Sequence, residues 1–159
     1  MPCSEKKIKT TNGEDEEMMA AASLSLIDGA ISALTHCMTL SIEASRYTVF
    51  GVQDESSAEL VGMNVDSDLN VVLTFLETEK DAIKAYRPAH ACSECIQNTT
   101  KLIRRCLDEI TRKIHEHQHM VMRHWYSSGC EEDLKRLRDL MDALSKDFRL
   151  LLQIMSVRR

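Results

Sequence analysis

The sequence is poor in the residues that break helices and make turns. Among its 159 residues there are only five Gly and two Pro, and aromatic residues make up 4%. A β-sandwich or barrel of this length needs regularly spaced turn signals between short strands, and the scarcity of Gly and Pro argues against both. Most of the remaining residues tolerate helices well. The sequence therefore predicts an all-α fold.

Long apolar runs and one-sided charge are also absent from the sequence. No stretch approaches the roughly 18 apolar residues of a membrane span, and the polar segment 1–12 does not resemble a secretory signal. We therefore expect an intracellular, soluble chain. Its cysteines are then expected to be thiols: Cys3, Cys37, Cys92, Cys95, Cys106 and Cys130. The net charge of −5, with both signs intermixed, argues against direct sequence-specific nucleic-acid binding.

The sequence contains none of the short glycine-rich or nucleophile motifs that mark common enzyme sites. There is no Gly-x-x-x-x-Gly-Lys-Ser/Thr, no Gly-x-Gly-x-x-Gly and no Gly-x-Ser-x-Gly. We accordingly predict a chain that is not an enzyme and has no cofactor and no small-molecule substrate.

Composition and periodicity divide the chain into a polar tail and a helical domain. We predict a disordered tail over 1–17, a helical domain over 18–159, and a solvated acidic linker over 51–67. Within the domain, long helices are predicted to form a helical hairpin or bundle over about 18–50, 67–87, 92–126 and 131–157. The second helix should end where Arg87 precedes Pro88, and Ser128 with Glu131 matches a capping box for the fourth.

The last two helices carry apolar residues at alternating three- and four-residue steps. This spacing keeps one face toward a partner helix and predicts a heptad coiled coil at the C-terminus. We predict that this face is a partner-binding seam for other helical subunits, formed by Ile103, Leu107, Ile110, Ile114, Val121, Leu134, Leu137, Met141, Leu144, Phe148, Leu151 and Met155. The off-seam residues Leu140, Leu150, Ile154 and Val157 indicate a second neighbour, either the first helix or another protein.

Two groups of residues have the types that bind metals. His90, Cys92 and Cys95, with Cys106 further on, contain one Cys-x-x-Cys half-site for zinc, but the second half-site that would complete it is missing. His115 and His119 share a helix face without a supporting carboxylate, while His117 and His124 fall on the apolar seam. The simpler interpretation, thiols and histidines that pack or face solvent, is favoured, and we predict no metal.

Segments at both ends of the helical domain resemble a known family. Leu140–Leu144 (Leu-Met-Asp-Ala-Leu) and the ending Ile154–Arg159 are similar to the closing helix of the animal Mediator subunit 30 family, and Ala22–Ile27 through Met38–Arg46 is similar to its first helix. The chain departs from the family at Asp28–Ala30, where the family has Gly-Gln-Glu. Between these helices, Tyr86 followed by Cys92 and Cys95 resembles a Tyr with two nearby cysteines in the family.

The resemblance implies a nuclear, non-catalytic subunit of the Mediator head region that helps to connect transcription regulators to RNA polymerase II and bundles with other small helical subunits. Other functions fit the heptads equally well, namely a coiled-coil subunit of a kinetochore or vesicle-tethering complex. A small zinc- or redox-dependent regulator built on His90, Cys92 and Cys95, or a self-contained helical bundle, also remain open.

Overall fold

A computed structural model describes residues 12–49, 51–120 and 128–158 of the chain, with side chains from Leu26 onward apart from that of Val49. Within these residues the chain is almost entirely helical, which confirms the all-α prediction. The elements are α1 (Asn12–Ser45), β1 (Thr48–Val49), β2 (Val52–Gln53), α2 (Glu55–Gly62), α3 (Val65–Thr78), α4 (Lys80–Ala85), α5 (Arg87–Gln118) and α6 (Glu131–Arg158). The two short strands form an antiparallel hairpin that pairs Thr48 with Gln53.

Four helices, α1, α3, α5 and α6, form the bundle. Helices α1 and α5 run in the same direction, because Gly29 approaches Gln97, and Tyr47, just after the end of α1, approaches His117 near the end of α5. Helix α6 is antiparallel to α5, as the contacts of Thr99 with Asp147 and of Lys113 with Asp133 show. Helix α3 lies against α1, and its Phe75 reaches Phe148 of α6.

Two parts of the chain, the start of α1 and the segment between α1 and α3, contain more structure than the predicted tail and linker allow. Helix α1 begins at Asn12, inside the predicted tail, and ends at Ser45. The predicted linker contains the β-hairpin and α2. The carboxylate of Asp54 caps α2 by accepting a hydrogen bond from the backbone N–H of Ser56 at 3.0 Å. This local cap explains how a short polar segment can form a helix.

The helix break near Pro88 is correctly placed, but the adjoining boundaries differ from the prediction. The predicted helix over 67–87 is divided at Glu79 into α3 and α4. Helix α5 begins at Arg87, so that Pro88 lies in its first turn, where proline is favoured because the missing N–H has no intrahelical partner. It ends at Gln118, before the predicted end near residue 126.

The predicted capping box at Ser128 is not formed. Its hydroxyl lies 2.8 Å from the hydroxyl of Ser56 and 3.3 Å from the carboxylate of Asp54, at the start of α2. Helix α6 instead begins with the carbonyl of Cys130 accepting from the N–H of Leu134 at 2.8 Å. Ser128 therefore joins the segment before α6 to the segment before α2.

The core follows the axis of the bundle, where aliphatic side chains from all four long helices meet. Its largest fully buried members include Ile27, Leu34, Leu69, Ile103 and Leu137. No helix in the described part of the chain has an apolar stretch long enough to cross a bilayer. The extended heptad coiled coil stays a prediction, since α6 packs here as one helix of the bundle.

Candidate interaction surface

The predicted partner-binding seam lies inside the bundle. Its buried members on α5 are Ile103, Leu107, Ile110 and Ile114, and those on α6 are Leu134, Leu137, Leu144, Leu151 and Met155. Met141 and Phe148 are half-buried and pack against the same core. Val121 lies outside the described residues. The seam therefore joins α5 to α6 and to the core of its own chain, and the surface left for other proteins lies elsewhere.

Polar contacts fix how α5 and α6 meet along this internal seam. Lys113 Nζ donates to Asp133 Oδ2 at 2.6 Å, and the Asp133 side chain is 8% exposed. Near the opposite end, the hydroxyl of Thr99 donates to Asp147 Oδ2 at 2.9 Å. The hydrogen bond to Asp133 raises the pKa of Lys113 above its usual value. These two contacts set the register of the hairpin.

Apolar residues that the core buries only in part or leaves exposed form a row on the outside of the α5–α6 hairpin. We call Leu102, Leu140, Leu150, Ile154 and Val157 the outer row. Leu102, Leu150 and Val157 are 47%, 49% and 80% exposed, whereas Leu140 and Ile154 are half-buried. On α6 the row follows three- and four-residue steps through Ala143 and Asp147, which places it on one helix face. It is the surface that the off-seam positions predicted for a second neighbour.

An open groove of about 520 Å³ lies at one end of the outer row. It is lined by Leu102, Arg105, Cys106, Glu109, Arg136 and Leu140. The apolar side chains of Leu102 and Leu140 face each other across the two helices, and ionic groups flank them. Leu102 was not identified from the sequence because it precedes the stronger seam position Ile103, although its place beside Leu140 follows from the antiparallel pairing.

The four zinc candidates do not converge. The ring of His90 is hydrogen-bonded through Nε2 to the carbonyl of Lys84 at 2.7 Å, Cys92 is buried and Cys95 is exposed. Cys106 lies about 20 Å along α5 from Cys92, at 1.5 Å per residue. Its thiol donates to the carbonyl of Asp133 at 3.1 Å. Within residues 12–49, 51–120 and 128–158 there is no group of three His, Cys, Asp or Glu residues arranged to hold a metal ion.

Burial keeps several cysteines in the protonated, unreactive form. It raises the pKa of Cys37 to about 12 and that of Cys106 to about 11, and it also raises the pKa values of Cys92 and Cys130. A thiol of this kind is a poor nucleophile and a poor metal ligand at neutral pH because both roles require the thiolate.

The histidines of α5 take structural positions. His117 is buried, and its Nδ1 lies 3.0 Å from the hydroxyl of Tyr47, which joins the end of α5 to the segment after α1. His115 lies 3.1 Å from Glu43 at the surface. His119 is exposed, and His124 lies outside the described residues.

Ion pairs also neutralise part of the positive charge of α5. Arg112 contacts both Glu109 and Glu116, and Lys113 contacts Asp133.

Comparison of the chain with known proteins finds no matching family model, no matching curated protein and no matching solved structure.

Proposed function

We propose that this chain is a non-catalytic helical subunit of a multiprotein assembly and that it binds its neighbour through the outer row. The observation that carries this proposal is the exposure of Leu102, Leu150 and Val157 on a hairpin whose predicted seam is already buried. Apolar side chains that stay exposed together on an otherwise polar surface mark sites where another protein packs. Spacing by three and four residues suits a helix of a partner.

The finer proposal is that the assembly is Mediator or a complex like it. It rests on the resemblance of the first and last helices to the Mediator subunit 30 family, and it implies a nuclear coactivator that links transcription regulators to RNA polymerase II. Leu140, Ile154 and Val157 belong both to the outer row and to the segments that carry the resemblance. On this proposal the similar residues of α6 are the ones that meet the partner.

The experiment that tests this proposal is affinity purification of the tagged chain from its own cells, with quantitative mass spectrometry of the proteins that stay bound. We expect Mediator subunits in near-equal amounts. A stable set of kinetochore or vesicle-tethering proteins would keep the assembly role and contradict the family. If the chain elutes alone from every extract, the assembly role itself is wrong.

A further inference from the structure

A second groove lies on the opposite side of α6, between α6 and α3. Asp68 shares a cavity with Met141 and Ser145, and further along Phe75 packs edge-to-face on Phe148 with ring centroids 5.3 Å apart. Residue numbers rise together on both helices, so α3 and α6 run in the same direction. Two adjoining cavities of about 480 and 190 Å³ open between them toward the start of α3. We call this surface the α3–α6 groove.

The floor of the α3–α6 groove is apolar and adaptable. Met63 and Met141 line its wide end, while Val72 and Phe148 line its narrow end. Val71 stands at the edge with 56% of its surface exposed. Methionine side chains are flexible and polarisable, so they can fit a range of apolar side chains. The floor is therefore suited to the apolar face of a helix.

The rim of the groove is acidic. Three carboxylates and one guanidinium line the wide cavity, and the guanidinium of Arg138 is paired with Glu59 at 3.0 Å. Asp68 and Asp142 are exposed and have no ion pair or side-chain hydrogen bond to any residue that the structure describes. The stretch 47–79, which supplies α2 and α3, contains seven Asp or Glu residues and no Lys or Arg. The rim thus presents unpaired negative charge on both sides of an apolar floor.

We propose that the α3–α6 groove binds a basic amphipathic helix of a partner protein. The residues of α6 that line the groove, from Arg138 to Phe148, extend over about 15 Å, which matches roughly three turns of a docked helix. Apolar side chains of that helix at three- and four-residue steps contact Met141, Val71 and Phe148. Its Lys or Arg residues, flanking the apolar face, pair with Asp68 and Asp142.

The groove lies far from the first described residues of α1. The wide end of the groove lies near Ala44, because Ser57 of α2 donates to the Ala44 carbonyl. Ala44 is about 48 Å along α1 from Asn12 at 1.5 Å per residue. A second copy is disfavoured as occupant because each chain has a net charge of −5.

The proposal is tested with the full chain and three synthetic helical peptides in a fluorescence-anisotropy titration. One peptide combines a Leu face with flanking Lys and Arg, the second has the same Leu face with flanking Glu, and the third contains the first peptide's residues in scrambled order. We expect saturable binding of the first peptide alone, weakened by added salt because the ion pairs are exposed. Equal binding of the second or third peptide, or no binding of the first, would overturn the proposal.

Variants of the chain then locate the bound peptide. Asp68→Asn with Asp142→Asn should weaken binding about three- to tenfold, as expected for two exposed ion pairs. Asp66→Asn with Asp139→Asn removes the same charge from the same helices outside the groove lining and should leave binding unchanged. Equal weakening by both pairs would show that only overall charge matters and would refute a groove site.

Gly62→Trp supplies a steric test that does not depend on charge. A Cβ at Gly62 meets no atom within 4 Å, so the substitution should fold normally while its ring fills the wide cavity. Binding of the basic peptide should be lost. Unchanged binding to this variant, or a self-association of the chain that Asp68→Asn with Asp142→Asn dissolves, would overturn the proposed occupant. Outer-row variants should bind the peptide normally, so this proposal and the proposed function fail independently.

Discussion

At the scale of single residues, charge inside the bundle is concentrated where α5 meets the start of α6. Asp133 is almost fully buried, and a buried carboxylate costs several kcal/mol unless a cation and hydrogen bonds compensate it. Lys113 supplies the cation and also reaches the carbonyl of Gly129 at 3.5 Å. Lys113 therefore holds both the first turn of α6 and Gly129, two residues before it, against α5.

Lys113→Met should lower the free energy of unfolding by about 3 kcal/mol, because it leaves Asp133 buried without its cation. Adding Asp133→Leu should restore part of the loss, since an apolar pair has no charge to desolvate. Urea denaturation of the two variants and the parent chain measures both effects. A loss below about 0.5 kcal/mol for Lys113→Met, the usual range for surface substitutions, would contradict the role given to this pair.

The pH dependence of the same pair has a definite sign. The hydrogen bond to Asp133 raises the pKa of Lys113 in the folded chain above its usual value of 10.5. A group whose folded-state pKa is raised contributes stability that is complete below the unfolded-state value and is lost as the pH rises through the folded-state value. The difference in stability between the parent and Lys113→Met should therefore be the same at neutral and mildly alkaline pH and should shrink only above about pH 10.5.

Cysteine reactivity reports burial at individual positions. Iodoacetamide attacks the thiolate, so exposed Cys95 should be alkylated in the native chain well before Cys37 and Cys106, whose pKa values burial raises to about 12 and about 11. Peptide mass spectrometry after timed alkylation gives the order, and alkylation in urea, where all three should react alike, is the control. Native alkylation of Cys106 as fast as Cys95 would contradict the packing of α5 on α6.

At the scale of elements, α1 and α5 approach each other closely at Gly29. A Cβ placed on Gly29 would lie 2.4 Å from Nε2 of Gln97, a residue that is itself buried. Glycine in a helix interior is less favourable than alanine by roughly 1 kcal/mol. The glycine is therefore explained by the neighbouring helix, since local helix propensity disfavours it.

Gly29→Ala should consequently stabilise the chain by less than the propensity difference, or destabilise it, because the Gln97 amide must move. In a Gln97→Ala background, where the amide is gone, the same substitution should add about 1 kcal/mol. Thermal unfolding of the four members of this cycle measures the coupling. Equal effects of Gly29→Ala in both backgrounds would show that α1 and α5 do not approach each other here.

At the scale of the whole molecule, the account separates residues that hold the fold from residues that are available to partners. Leu144 is buried in the core, whereas Leu150 lies in the outer row on the same helix. Circular dichroism of Leu144→Asp should show no cooperative unfolding transition, because the substitution buries an uncompensated charge. Leu150→Asp should change stability by no more than about 0.5 kcal/mol. Similar stability of both variants would contradict the assignment of the seam to the chain's own core.

The sequence could predict the buried faces of α5 and α6, because the apolar residues of those faces recur at three- and four-residue steps. The spacing of Leu134, Leu137 and Leu144 does not tell which helix covers that face. The sequence therefore predicts a partner-binding seam, whereas α5 and the chain's own core cover these residues. Leu150 and Val157 lie off that seam and stay exposed. These off-seam residues therefore indicate the surface available to a partner better than the seam residues do.

Short elements and caps were harder to predict, because long-range contacts decide them. Helix α2 has buried Ser56 and Ser57 in place of an apolar stripe, and the Ser57 hydroxyl donates to the Ala44 carbonyl at 2.7 Å. Ser128 matched a capping box in sequence, yet its hydroxyl contacts Ser56 across the fold. The α3–α6 groove was missed for the same reason, since Met63 and Glu59 fall in the segment predicted as linker.

The outer row is tested most directly by quantitative comparison of purified complexes from cells that express tagged variants. Leu150→Asp places one negative charge on the outer row, and Gln153→Asp places the same charge on an exposed polar position of the same helix. We predict that the first variant loses its co-purifying subunits while Gln153→Asp retains them, with both chains folded by circular dichroism. Retention of the full set of subunits by the folded outer-row variant would contradict the account.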